Sequence, residues 1–197
     1  MKSALLLASA LAALCLAAAA QAAPTAGPWL TWWGQVDQAG GVFTLASRAP
    51  VARTETHSAL VTTRRVWADP TFTYTVTTVG QLRTGSAPNP REVGWSMFRF
   101  RDLHNYYWFI LEPDGWELGK KQGSDTQIFL ATGTSPAVVA GQANRIRIQA
   151  QGARIQVSVD GVPVVDYTDA HPLASGSVGL YEEDSRVRFE SLSIVGA

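Results

Sequence analysis

From residue 41 onward the chain alternates. Stretches such as Phe72-Thr73-Tyr74-Thr75-Val76 and Ile146-Arg147-Ile148-Gln149 place apolar side chains at every second position, the period of a strand with one packed face. No window sustains a helical period between caps. Strands are therefore predicted over 41–47, 57–63, 71–79, 93–101, 106–112, 116–121, 127–131, 144–151, 154–160, 163–168, 177–182 and 186–195. So many short strands separated by turn residues imply an all-β fold, a two-sheet antiparallel jelly-roll sandwich. Asp160-Gly161 between Val159 and Val162 is a two-residue hairpin signal, and Pro113-Asp114-Gly115 marks a second tight turn. The polar, proline-containing stretch 81–91 is the longest predicted loop.

The hairpins between residues 93 and 121 carry the candidate chemistry. With 102–105 as the loop, Arg101 pairs with Tyr106, Arg99 with Trp108, Met97 with Ile110 and Trp95 with Glu112. Reading the next turn with Glu112 opposite Trp116 adds Trp116, Leu118 and Lys120 to the same face. That face combines Trp95, Tyr106, Trp108 and Trp116 with Arg99, Arg101, Glu112 and Lys120, while Phe98, Phe100, Tyr107, Phe109 and Leu111 form a core face. Aromatic planes beside fixed charges suit a saccharide, which offers an apolar C–H face for stacking and hydroxyls around its rim. The alternative is that neighbouring strands half-bury the tryptophans, with Arg99 stacked on Trp108. Glu117 falls on the core face, either ion-paired at a sheet edge or buried with a raised pKa and able to act as a general acid. The whole assignment depends on register, since a slip of one residue turns every side chain to the other face.

The ends and the composition narrow the function further. Residues 1–22 combine Lys2, an Ala- and Leu-rich stretch and Ala20-Gln21-Ala22, the pattern of a cleavable secretory signal, leaving 23–197 as a single domain. The expected location is secreted or periplasmic, with no membrane span after cleavage. Cys15, the only cysteine, leaves with the signal, so the mature chain has no disulfide, thiolate metal site or thiol nucleophile. Loss of Lys2 from 16 basic and 16 acidic side chains leaves a formal charge of −1, which excludes a basic footprint for nucleic acid. His57, His104 and His171 lack zinc-ligand spacing. Glu182-Glu183-Asp184 is either a calcium-ligating turn or a solvated acidic turn beside Arg186 and Arg188.

The segments VGWSMFRFRDLHNYYWFIL (93–111), GWELGK (115–120), NRIRIQAQGARIQVSVDGVPVVDYTD (144–169) and GSVGLYEEDSRVRFESLSI (176–194) resemble the concanavalin A-like lectin/glucanase superfamily. The nearest members are the laminin-G-like and 3-keto-disaccharide-hydrolase-like domains of exported bacterial proteins. The resemblance implies a jelly roll whose concave sheet receives a poly- or oligosaccharide, with a structural calcium ion in some members and no other cofactor required. The chain departs from the retaining-glucanase signature E-x-D-x-x-E, because Val187 stands where the last acid would be. Carbohydrate binding is the leading expectation. The alternatives are a glycoside hydrolase or polysaccharide lyase, with Glu117 or Glu112 as acid/base, and an envelope module that docks a protein partner.

Overall fold

The computed structural model describes residues 28–197; the signal pattern and Cys15 lie outside the described residues. Fourteen strands follow one another: β1 (Trp29–Trp33), β2 (Gln35–Ala39), β3 (Val42–Ala46), β4 (Ser58–Thr63) and β5 (Thr71–Gln81). Next come β6 (Gly94–Asp102), β7 (Asn105–Glu112), β8 (Gly115–Gln122), β9 (Ile128–Gly133) and β10 (Ala143–Gln151). The last four are β11 (Arg154–Val159), β12 (Val162–Thr168), β13 (Ser177–Glu183) and β14 (Ser185–Val195). Every strand expected from alternation is present, as β3 to β14. The two additions open the chain. Trp29-Leu30-Thr31-Trp32-Trp33 does not alternate and β2 has only Val36 and Ala39 as apolar residues, so neither carries a period-2 signal.

The strands form two antiparallel sheets of seven, ordered β1-β4-β13-β6-β7-β8-β9 and β12-β11-β10-β5-β14-β3-β2. The sandwich and its all-β class are as the alternation implied. Phe98, Tyr107, Phe109, Leu118, Val61 and Leu180 of the first sheet pack on Phe72, Tyr74, Ile146, Ile148, Val157 and Phe189 of the second, and none is more than 2% exposed. At about 25 cal/mol per Å2 of apolar surface, this shared layer is the main stabilising term of a fold whose described residues contain no cysteine.

Two turns fix the geometry that follows. Val159 pairs with Val162 across Asp160-Gly161, both left-handed at φ 51° and 83°, as the Asp-Gly signal requires. At Gly34 (φ 79°) the chain leaves the first sheet as β1 and enters the second as β2. Glycine is needed there, because a Cβ would lie 2.3 Å from that of Ala59.

Candidate functional site

The outer face of the first sheet is where the expected site residues divide. Across β6 and β7, Trp95 pairs with Ile110 and Met97 with Trp108, two residues away from the expected register. A wide bulge between Phe98 and Asp102 takes up those residues. Because the slip is even, Trp95, Met97, Trp108 and Ile110 still share one face. Arg99 does not. It sits in the bulge at φ 47° and turns inward, donating from Nε to Ala68 O (2.7 Å), from Nη1 to Gly152 O (2.8 Å) and from Nη2 to Asp69 Oδ1 (3.0 Å). Arg99 is therefore a buried brace between the sheets. Arg101 is exposed at the hairpin end of β6.

The β7–β8 turn corrects a second group. It has two residues, Pro113 and Asp114, so Glu112 pairs with Gly115 and Leu111 with Trp116. This slip is odd, and every β8 side chain changes face. Trp116, Leu118 and Lys120 point into the sandwich, whereas Glu117, Gly119 and Lys121 point outward. Lys120 is 4% exposed and donates to Asp169 Oδ2 (2.7 Å) and His171 O (2.7 Å), while the Tyr107 hydroxyl donates to the same carboxylate (2.6 Å). Burial alone would raise the Asp169 pKa; the hydrogen bonds from Lys120 and Tyr107 outweigh it and hold the carboxyl below its ordinary range. Lys120 and Arg99 thus have protein partners and no access to an outer ligand.

Trp95 and Trp108 keep the expected face but are not open platforms, being 2% and 0% exposed. Trp108 lies flat on Gly119, where a Cβ would come within 2.1 Å of its ring, and Phe129 of β9 meets it edge-on with centroids 6.0 Å apart. Arg91, at the end of the 81–91 loop, covers Trp95 (5.6 Å to the ring centroid) and Phe129 (5.1 Å). Arg91 also pairs with Glu117, donates to Gln127 Oε1 (2.9 Å) and stands 3.8 Å from Glu112. Glu117 is therefore the paired carboxylate of the two expected alternatives. Glu112 differs: its Oε1 is buried without a hydrogen-bond partner among the described residues. Burial, then the neighbouring Glu117, pushes its pKa up to about 7.

Beside this clamp the face opens into a cleft of about 260 Å3. Trp95, Met97, Leu60 and Tyr106 form its floor, Trp33 and Tyr181 its aromatic walls, and Glu183, Lys121, Gln127, Leu103 and Asp125 its polar side and rim. Tyr181 stands nearly perpendicular to Trp95 (5.5 Å, 82°) and donates its hydroxyl to Glu183 Oε1 (2.8 Å). Trp33 Nε1 donates to Ser58 Oγ (2.9 Å). Burial raises the Glu183 pKa, with the Tyr181 hydrogen bond opposing. Burial likewise pushes the Tyr106 hydroxyl up to about 12. Trp33, Tyr181 and Lys121 are not among the site residues expected from sequence, and Glu183 is expected there only as part of an acidic turn; the GSVGLYEED string, which carries the family resemblance, is the one sequence signal that contains Tyr181 and Glu183.

A family model described as the 3-keto-alpha-glucoside-1,2-lyase-like domain matches residues 30–195. The chain belongs to that family. No curated protein is significantly similar to it. Among solved structures, the carbohydrate binding module CBM66 from Bacillus subtilis is 19% identical, over 85% of this chain and 95% of the other, with a TM-score of 0.68. The potassium-bound carbohydrate recognition domain of Emp46p is 9% identical, over 86% and 89% of the two chains, with a TM-score of 0.60. A putative glycosyl hydrolase from Parabacteroides distasonis is 8% identical, over 82% and 83%, with a TM-score of 0.56. At these identities the likeness is one of fold.

In this 3-keto-alpha-glucoside-1,2-lyase-like domain the Glu182-Glu183-Asp184 turn is not solvated, and its three acids diverge. Glu182 accepts from Ser185 N (2.9 Å) and from the Ser47 hydroxyl (3.3 Å). Asp184 accepts from His57 N (2.6 Å) and Arg83 (2.7 Å), and only Glu183 reaches the cleft. Among the described residues no three His, Cys, Asp or Glu side chains are grouped to hold a metal ion. Among them too, no helix is long and apolar enough to cross a membrane.

Proposed function

We propose that the domain binds a saccharide in the cleft on the outer face of its first sheet. The observation that carries this reading is the cleft's lining. Trp33 and Tyr181 offer apolar ring surface within reach of Glu183, Gln127 and Lys121, the pairing of stacking planes and hydrogen-bonding groups that a pyranose needs. The volume, below the ~300–1,000 Å3 of pockets for drug-sized ligands, suits about one ring. Family membership and the carbohydrate-binding names among structures of the same fold support the reading. Saccharide titration is expected to quench Trp fluorescence, and Trp33→Ala is expected to weaken binding by about tenfold, or 1.4 kcal/mol. Silence across a broad glycan array and in pull-downs on insoluble polysaccharides would end the proposal.

A second reading is an enzyme acting on a bound sugar. Glu112, beside the cleft rather than among its lining residues, favours it: burial pushes its carboxyl up to about 7, where it can hold or release a proton near neutrality. The family's description supports this reading as well. The signal pattern over 1–22 supports export of 23–197 as one domain to the periplasm or medium.

A further inference from the structure

The cleft's charges do not balance. Lys121 has a partner already, its Nζ lying 3.3 Å from Asp125 Oδ1. His104 Nδ1 approaches the same carboxylate at 3.2 Å. On the clamp side, Arg91 is matched by Glu117, and Glu112 stands near it without a hydrogen bond. Arg99 and Lys120, which could have supplied further positive charge, are turned inward onto Asp69 and Asp169. Glu183 is left inside the cleft with a hydroxyl donor, Tyr181, and no cation in hydrogen-bond contact, Arg91 acting on it only through space. Beside it stand the half-buried rings of Trp33 and Tyr181, while Trp95 and Tyr106 beneath them are buried and already faced by Arg91 and Lys121.

We infer that the cleft recognises a saccharide carrying a protonated amino group, held by the Glu183 carboxylate and the surrounding aromatic faces. The inference rests on the proposed binding function and names its ligand class. A desolvated carboxylate is stabilised by an opposite charge brought within about 4–6 Å. Aromatic faces attract an ammonium through their quadrupoles. A neutral ring would satisfy the stacking surface and leave the carboxylate without a direct ion-pair partner. A uronic acid would meet Glu183 and Asp125 as like charges.

The test compares three sets of oligosaccharides of matched length by calorimetry at pH 6: fully deacetylated β-1,4-glucosamine oligomers, their N-acetylated counterparts and oligogalacturonates. The deacetylated set is expected to bind at least tenfold more tightly than the acetylated one, with no binding of the uronates. Glu183→Gln is expected to bring the first two sets within about threefold of each other. Asp125→Asn alters a rim carboxylate that is 82% exposed; it frees Lys121 and is expected to weaken the amine-bearing set severalfold without threatening the fold. Equal or tighter binding of acetylated or acidic oligomers overturns the amine assignment and leaves saccharide binding standing. If none of the three sets binds and a broad glycan array is also silent, the binding function itself fails.

Discussion

Glu112 is the residue whose chemistry is most visible in bulk measurements. Its pKa, raised to about 7 by burial and by Glu117, exceeds that of the unfolded chain, so between about pH 4.5 and 7 the folded state holds more protons than the unfolded state. Stability contributed by this group is therefore full at the acid end of that window and falls as pH rises to 7. Glu182, also raised to about 7 by burial, acts in the same direction. Thermal melts from pH 5 to 8 are expected to show a smaller decline for Glu112→Gln than for the parent, with the variant gaining most above pH 7. An unchanged slope would remove Glu112 as a buried acid. The same variant addresses the enzymatic reading: if product is released from a saccharide, Glu112→Gln is expected to abolish it, and unaltered turnover would refute that role.

At the scale of elements, strand existence was legible and register was not. The alternation of β5, β10 and β11 survives any pairing, because each strand reports its own buried face. A face shared by three strands depends on turn lengths, and turn length is where Pro113-Asp114-Gly115 is ambiguous. It can close with two residues or three; here Gly115 joins the ladder opposite Glu112, a position only glycine fills because a Cβ there would lie 1.9 Å from Gly133 O. That one residue moved Trp116 and Lys120 off the expected site and brought Glu117 onto it. The bulge around Arg99 left no mark in the hydrophobic pattern, since it absorbed two residues and restored the alternation. Arg99→Leu would strip donors from the carbonyls of Ala68 and Gly152, at about 0.5–1.5 kcal/mol for each hydrogen bond lost, since both acceptor residues are exposed to water. Urea unfolding is expected to register that loss, with saccharide affinity of the folded fraction unchanged within about twofold. A selective loss of affinity with normal stability would return Arg99 to the binding site.

For the whole molecule, the architecture followed from composition and alternation, whereas the site needed three dimensions. Trp33 on β1, Tyr181 and Glu183 on β13 and Lys121 on β8 are distant in sequence and adjacent only through the order β1-β4-β13-β6-β7-β8. No local pattern encodes that order. The proposed export, which would remove Cys15, concerns the whole chain too. If the leader is cleaved as proposed, the mature protein is expected to begin at Ala23 by N-terminal sequencing and to melt at the same temperature with and without reductant. A retained leader, or a reductant-sensitive melt, would contradict the secretory reading.

The corner at Gly34 has a mechanical consequence. Within its sheet β1 is joined to β4 alone, and Trp33 stands at its last position, inside the cleft and immediately before the hinge. Tension applied at Pro28 and directed away from the sheet would open the β1–β4 seam rung by rung, as a zip opens, while β4 keeps β13 and every other pairing in the two sheets stays intact. The aromatic wall would be withdrawn before the sandwich yields. For a molecule anchored through that end and loaded by flow, the grip on a captured ligand is set by one short seam rather than by the strength of the fold.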